Sequence, residues 1–186
     1  MYKSKRLMLR PFIEDDAKMI SEIKEDFIGL RAYSGRPFPN NVEGEKEWIS
    51  KMYPAGLLSS IMLVVEERET KEFIGYVAAS KIDYINSNAH VGIIFHKNGR
   101  GKGYFREASI LFYGYLFNEI NLHKVYSGVL TYNDIAIEND KKIGFKVEGI
   151  MKEHIYQSGK YHDVYMVSLT AKDFFSVNNL NDYLDL

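Results

Sequence analysis

The run Asn98-Gly99-Arg100-Gly101-Lys102-Gly103 constrains this chain more than any other stretch of its sequence. Three glycines in six residues neither continue the strand pattern of 89–96 nor let the helical pattern of 104–120 begin earlier. A strand must therefore end there, the backbone must curl, and a long helix must start. Without Cβ atoms, such a turn can aim successive N–H groups inward and let a ligand approach the backbone closely. The first N–H groups of a helix lack intrahelical partners and carry partial positive charge. Together these features make an anion site suited to a phosphate or pyrophosphate, with Arg100 and Lys102 adding charge. A purely structural tight turn is the competing reading. A Walker loop is excluded, because Gly103 stands where Ser or Thr must follow Lys102. A dinucleotide fingerprint starting at Gly101 is excluded by Arg106, which occupies the third glycine position.

Around this turn the periodicity predicts strands over 4–12, 60–67, 73–82, 89–96, 124–130, 147–157 and 162–170. The stretch 104–120 is the clearest helix, with Tyr104, Ala108, Leu111 and Tyr115 at helical spacing. Asp15 and Asp16 suit the first turn of an earlier helix with the stripe Ile20, Ile23 and Phe27, and a second helix contains Trp48, Ile49 and Met52. A short helix over 134–142 is closed by Gly144 in a C-cap position. An antiparallel meander followed by a strand-helix-strand unit indicates one α/β (α+β) sheet domain over residues 1–170. Residues 171–186 read as a weakly held tail, with Val177, Leu180 and Leu184 at a helical spacing that offers docking as the alternative.

Composition narrows the class. The 24 basic and 25 acidic residues leave a formal net charge of −1, which argues against a broad footprint for nucleic acid or an anionic membrane. The absence of cysteine excludes disulfides, thiolate metal sites and cysteine nucleophiles. The basic N-terminus leads into too short an apolar run for a signal peptide, and no stretch approaches a membrane span. The expected location is the cytoplasm.

The glycine run resembles motif A of the GNAT superfamily of N-acetyltransferases, whose signature is Gln/Arg-x-x-Gly-x-Gly/Ala. Gly101 and Gly103 match its last two anchors, and Asn98 stands where Gln or Arg is usual. Further matches are Arg6-Leu7-Met8-Leu9-Arg10-Pro11, Asn121-Leu122-His123-Lys124-Val125, Asn133, Lys142-Ile143-Gly144-Phe145, Glu148-Gly149 and Gly159-Lys160-Tyr161-His162-Asp163. In order and content they resemble the branch of ribosomal-protein N-acetyltransferases and spermidine acetyltransferases. The resemblance implies a mostly antiparallel sheet, flanked by helices and splayed between its fourth and fifth strands, with acetyl-CoA in the cleft. It implies that backbone amides of Asn98, Gly99, Arg100, Gly101, Lys102, Gly103 and Tyr104 take the pyrophosphate. Ile93, Ile94 and Phe95 would run beside the pantetheine arm like an added strand, and Asn133 would hydrogen-bond the cofactor. No metal is implied.

Two residues are candidates for the chemistry. Many relatives carry Glu on the fourth strand two residues before a glycine, and here that position is His90. An imidazole is a plausible base at neutral pH, directly or through a water. The alternative is a half-buried strand histidine that merely hydrogen-bonds. His90 and His96 lie too far apart on a regular strand to share a metal. Spermidine-type relatives place a tyrosine acid five residues before the Phe of a Gly-Phe pair, and here that position is Asp140. Asp140 either faces the cofactor or is solvated at a helix edge. The expected reaction is transfer of an acetyl group to a primary amine on a protein N-terminus, a polyamine, an amino sugar or an antibiotic. The acceptor loops are expected around 30–41 and 158–163, and a homodimer is compatible with the tail. The alternative function is a coenzyme-A-binding sensor that has lost turnover, which the missing tyrosine keeps open.

Overall fold

The computed structural model of the protein describes residues 2–26, 41–53 and 59–185. Phe27, the turn 35–39 and most of the acceptor loop expected at 30–41 lie outside the described residues. Seven strands form one sheet: β1 (Leu7–Arg10), β2 (Ser60–Glu67), β3 (Phe73–Asp83), β4 (Asn88–Phe95), β5 (Lys124–Leu130), β6 (Lys146–Gln157) and β7 (Lys160–Thr170). Their spatial order is β1-β2-β3-β4-β5-β7-β6. Among the described residues five α-helices accompany them: α1 (Ala17–Glu25), α2 (Val42–Ser50), α3 (Tyr104–Asn118), α4 (Asp134–Ile143) and α5 (Ala171–Val177).

Every strand pairing is antiparallel except β4 with β5. That parallel pairing follows from the connection, because only a crossover such as α3 can bring the chain back in the same direction. It lasts for three residue pairs, Asn88 with Lys124, Ala89 with Val125 and His90 with Tyr126. Beyond them β4 stays paired to β3 as far as Phe95, and β5 stays paired to β7 as far as Leu130. The two strands have parted, and the expected splay between the fourth and fifth strands is present.

Side-chain alternation sorts the sheet's two faces. Leu7, Leu9, Val65, Val77, Ala79, Ala89, Val91, Val125, Val167 and Leu169 join the core against α3. On the opposite face Val64 and Ile94 pack with Phe12, Ile20, Ile23 and Ile49 from the α1–α2 side. His96 falls outside β4: the chain turns before it, and its buried imidazole meets Glu22 of α1 at 3.1 Å.

Helix α3 is buried nearly all round, from Tyr104 to Phe117. A helix apolar on every side needs cover on every side. The sheet supplies one face, and residues 171–185 supply another. Phe174 is fully buried, with its ring 5.4 Å from that of Phe117. Leu180 sits so close to Gly114 that a Cβ there would lie 2.7 Å from its Cδ1. Arg106 of α3 adds polar ties to the Tyr183 hydroxyl and the Lys142 carbonyl, and Asn178 donates to the Ile143 carbonyl at 2.8 Å. The expectation of a weakly held end is therefore corrected, because Phe174 and Leu180 of the tail are core residues against α3. Truncating Phe174→Ala should cost about 3–5 kcal/mol of folding stability, measured by denaturant unfolding. A loss within about 0.5 kcal/mol, the scale of a surface substitution, would contradict the packing.

Candidate active site

The glycine turn is built from both ends. His96 caps a 3-10 turn over Lys97–Gly99, its Nδ1 accepting from the Asn98 amide at 3.4 Å. Because Nδ1 accepts, Nε2 carries the proton and donates to Glu22, so the turn is tied to α1. Gly99 is dictated by packing: a Cβ there would sit 2.7 Å from the Ile74 carbonyl oxygen. Gly103 is dictated by conformation, since as N-cap of α3 it has φ 73°, in the left-handed region.

The turn's donors divide into two groups. The amides of Asn98, Gly99 and Arg100 are consumed internally, by the His96 ring, the His96 carbonyl and the Lys97 carbonyl. The amides of Gly101, Lys102 and Gly103 donate to no group among the described residues. Side chains divide likewise. Asn98 donates to Glu72 at 2.8 Å, and Arg100 donates to the Phe95 carbonyl while pairing with Asp26 at 2.5 Å. Lys102 is held loosely, 4.0 Å from Glu72 and 5.9 Å above the Tyr104 ring. Tyr104 donates its hydroxyl to Glu67, which pushes its pKa up to about 12.

Where β4 and β5 part, a cleft of about 450 Å³ opens. It brings together four of the residues singled out above: His90, Ile93, Asn133 and Asp140. Ile94 and Phe95 do not line it. Ile94 turns toward the α1–α2 core, and Phe95 packs on the α3 side with its ring 6.4 Å from Phe105. Phe105, two residues past Gly103, does line the cleft, so the glycine turn adjoins its wall.

Each candidate group has a distinct environment. His90 is half-buried, its ring 5.6 Å from Tyr126 across the last parallel pair. Burial, with the charge of Lys81 adding, pushes its pKa down. Asn133 is the N-cap of α4 and accepts from the Ala136 amide at 3.2 Å, which fixes it at the cleft edge. Asp140 lies on the wall made by α4 and α3, beside Tyr113 and Phe145. Its carboxyl has no hydrogen-bond or ion-pair partner among the described residues, and burial alone pushes its pKa up to about 7. Tyr113 is buried, and its hydroxyl pKa is raised well above the ordinary value by that burial, with Asp140 contributing.

Sequence reasoning did not single out Tyr113 and Phe105 on the helix side, or Ser80, Lys81 and Tyr126 on the other. The signal for Ser80 and Tyr126 was register, since both are direct cross-strand partners of His90. Among the described residues no group of three or more His, Asp or Glu could hold a metal ion. No helix there is long and apolar enough to cross a membrane.

Known proteins share this fold. Residues 6–146 match the family model described as "Acetyltransferase (GNAT) domain". The chain is 26% identical to an uncharacterized N-acetyltransferase, p20, of Bacillus licheniformis, over 92% of this chain and 96% of that one. It is 28% identical to the spermidine N(1)-acetyltransferase of Escherichia coli K12, over 83% and 81% of the two chains. The crystal structure of the Vibrio cholerae spermidine N-acetyltransferase with CoA and spermine superposes with a TM-score of 0.84 at 26% identity, covering 91% of this chain and 98% of that one. A dodecameric structure of the V. cholerae enzyme superposes with a TM-score of 0.79, covering 93% and 98%. The chain belongs to the GNAT family and is an N-acetyltransferase of the kind that uses acetyl-CoA.

Proposed function

We propose that this protein passes the acetyl group of acetyl-CoA directly to a primary amine in a ternary complex, with His90 and Asp140 as the proton-handling residues. The observation that carries this reading is that both side chains line one cleft, His90 from the strand wall and Asp140 from the helix wall. The chain's groups fit the donor. The open amides of Gly101, Lys102 and Gly103, at the head of α3, suit the pyrophosphate, with Lys102 as the more loosely held cation. Beyond His90, the edge of β4 that faces the parted β5 leaves backbone groups for an extended arm beside Ile93. Asn133 stands on the same wall. Acetyl-CoA supplies an activated thioester carbonyl.

The residues then divide the proton traffic. The attacking nitrogen must shed a proton, and the departing sulfur must gain one. His90 is kept neutral at physiological pH by its lowered pKa and accepts the proton from nitrogen, directly or through a water. Asp140, with a pKa near 7, is substantially protonated there and donates to sulfur. Holding the reactants in line supplies much of the remaining acceleration. A homo-oligomer is part of the same reading, by analogy with the dodecameric V. cholerae enzyme.

Acetyl-CoA should raise the melting temperature, and thiol release should appear with some member of a primary-amine panel. Binding without release above hydrolysis for any amine would favour a coenzyme-A sensor. Asp140→Asn should lower kcat by about 10²-fold or more and abolish a fall in kcat as pH rises through about 7. An unchanged profile would remove Asp140 as acid.

The same substitution should act oppositely on stability. A carboxyl with a raised folded pKa costs nothing while neutral, below its unfolded pKa. The cost then accumulates as pH rises, and is complete above about 7. At pH 8 Asp140→Asn should therefore stabilise the fold by on the order of 2–4 kcal/mol, at about 1.4 kcal/mol per pKa unit. At pH 4 it should change little. Destabilisation at pH 8 in thermal melts would show that the carboxylate has partners the cleft does not reveal.

A further inference from the structure

Residues from both faces of the sheet line the cleft, and the two sets differ in charge. On the α3–α4 side stand Tyr113, Asn133 and Asp140. On the other face Ser80, His90 and Tyr126 form a row across three strands, since Ser80 pairs with His90 and His90 with Tyr126. Lys81 and His154 also line the cleft. Lys81 is exposed, follows Ser80 where the β3–β4 register breaks, and has no ion-pair partner among the described residues.

Asp140 is the one carboxylate lining the cleft among the described residues, and it lies on the opposite wall. Three acids of β3, β6 and β7 are already engaged. Glu148 takes Lys124 and the Ser168 hydroxyl, each at 2.7 Å, and Asp163 takes Lys152 at 2.7 Å. Asp83 accepts from the amides of Ile85 and Asn86. The sequence supplies none from elsewhere: residues 27–40 contain Arg31 and Arg36 but neither Asp nor Glu, and residues 54–58 contain no charge. A polyamine would bring further ammonium groups toward Lys81 with nothing to neutralise them, and like charges placed together penalise binding.

We propose, resting on the transferase reading above, that the acceptor is a small amine whose own molecule carries an anionic group, a carboxylate or a phosphate, and that Lys81 receives that group. The amine then reaches His90, the cross-strand partner of the neighbouring Ser80, while the anion stays at the rim. Recognition of this kind is a point-charge contact at a solvated site, so it acts mainly on KM and weakens with salt.

The test is steady-state acetyl transfer with matched acceptors: glucosamine against glucosamine 6-phosphate, a short peptide amide against its free acid, and spermidine. The phosphate and carboxylate pairs separate the two anion sources. In at least one pair the anionic member should exceed its neutral partner in kcat/KM by about fivefold, the scale of a partly exposed ion pair, and exceed spermidine. That advantage should shrink between about 0.01 M and about 1 M salt. Lys81→Asn, which tolerates the left-handed backbone at φ 52°, should erase the ratio within the pair, Lys81→Arg should retain it, and Lys81→Glu should raise spermidine's kcat/KM. Melting curves confirm that each variant folds. Spermidine equal to or better than every anionic amine, or a ratio indifferent to all three substitutions, overturns the proposal while leaving the transferase reading intact. Acetyl-CoA binding with no acetylation of any amine overturns that reading, and the proposal falls with it.

Discussion

The parting of β4 from β5 is the constraint on which the rest of this structure depends. Two strands that stay paired to their outer neighbours yet leave each other after His90 and Tyr126 create two unsatisfied inner edges. Such edges are costly unless something occupies them or water reaches them. Both crossover helices serve the gap. α3 starts from the turn at the end of β4 and returns the chain to the start of β5, and α4 leaves the end of β5 through Asn133. The glycine turn, the cap residue and the half-buried carboxyl of Asp140 thus stand around one gap because they belong to these same successive elements.

Rigidity around the gap comes from polar ties at its margins and apolar cover behind it. His96 links the turn to α1 through Glu22, and Arg6 links β1 to Glu107 in the first turn of α3 at 2.8 Å. Behind α3, Phe174 and Leu180 complete a core that the sheet alone leaves half covered. Asn178 and Arg106 tie the end of α4 to this layer, so the segment bearing Asp140 is anchored from outside the cleft. Within such a frame an unpartnered carboxyl is a liability for folding, and residues retained against stability concentrate at functional sites.

Much of this was legible in the sequence, for physical reasons that differ by element. Strands such as Ser60–Glu67 and Lys124–Leu130 were read to the residue because their apolar runs are bounded by turns. Gly144 announced the end of α4 and does adopt a left-handed φ of 113°. The tail was misjudged because its own spacing is weak. The stronger signal lay in α3, whose all-round apolarity demands a second covering layer. At the site, the count back from Phe145 located Asp140, but its isolation and burial depend on Tyr113 and Phe145 closing around it. The turn's donors looked alike in sequence, and only the 3-10 turn over Lys97–Gly99 with its His96 cap separates the used ones from the open ones. Lys81 carried no periodic signal, because it stands where the β3–β4 register breaks.

In the proposed mode of binding, the donor lies along the unpaired edge of β4 and against the open amides of the turn. Amide hydrogen exchange of the protein with and without acetyl-CoA addresses it directly. Added protection should concentrate in residues 91–95 and 101–104, with little change in the fully paired β2–β3 strands. Saturating acetyl-CoA that protects neither segment, or that protects another surface instead, would contradict it.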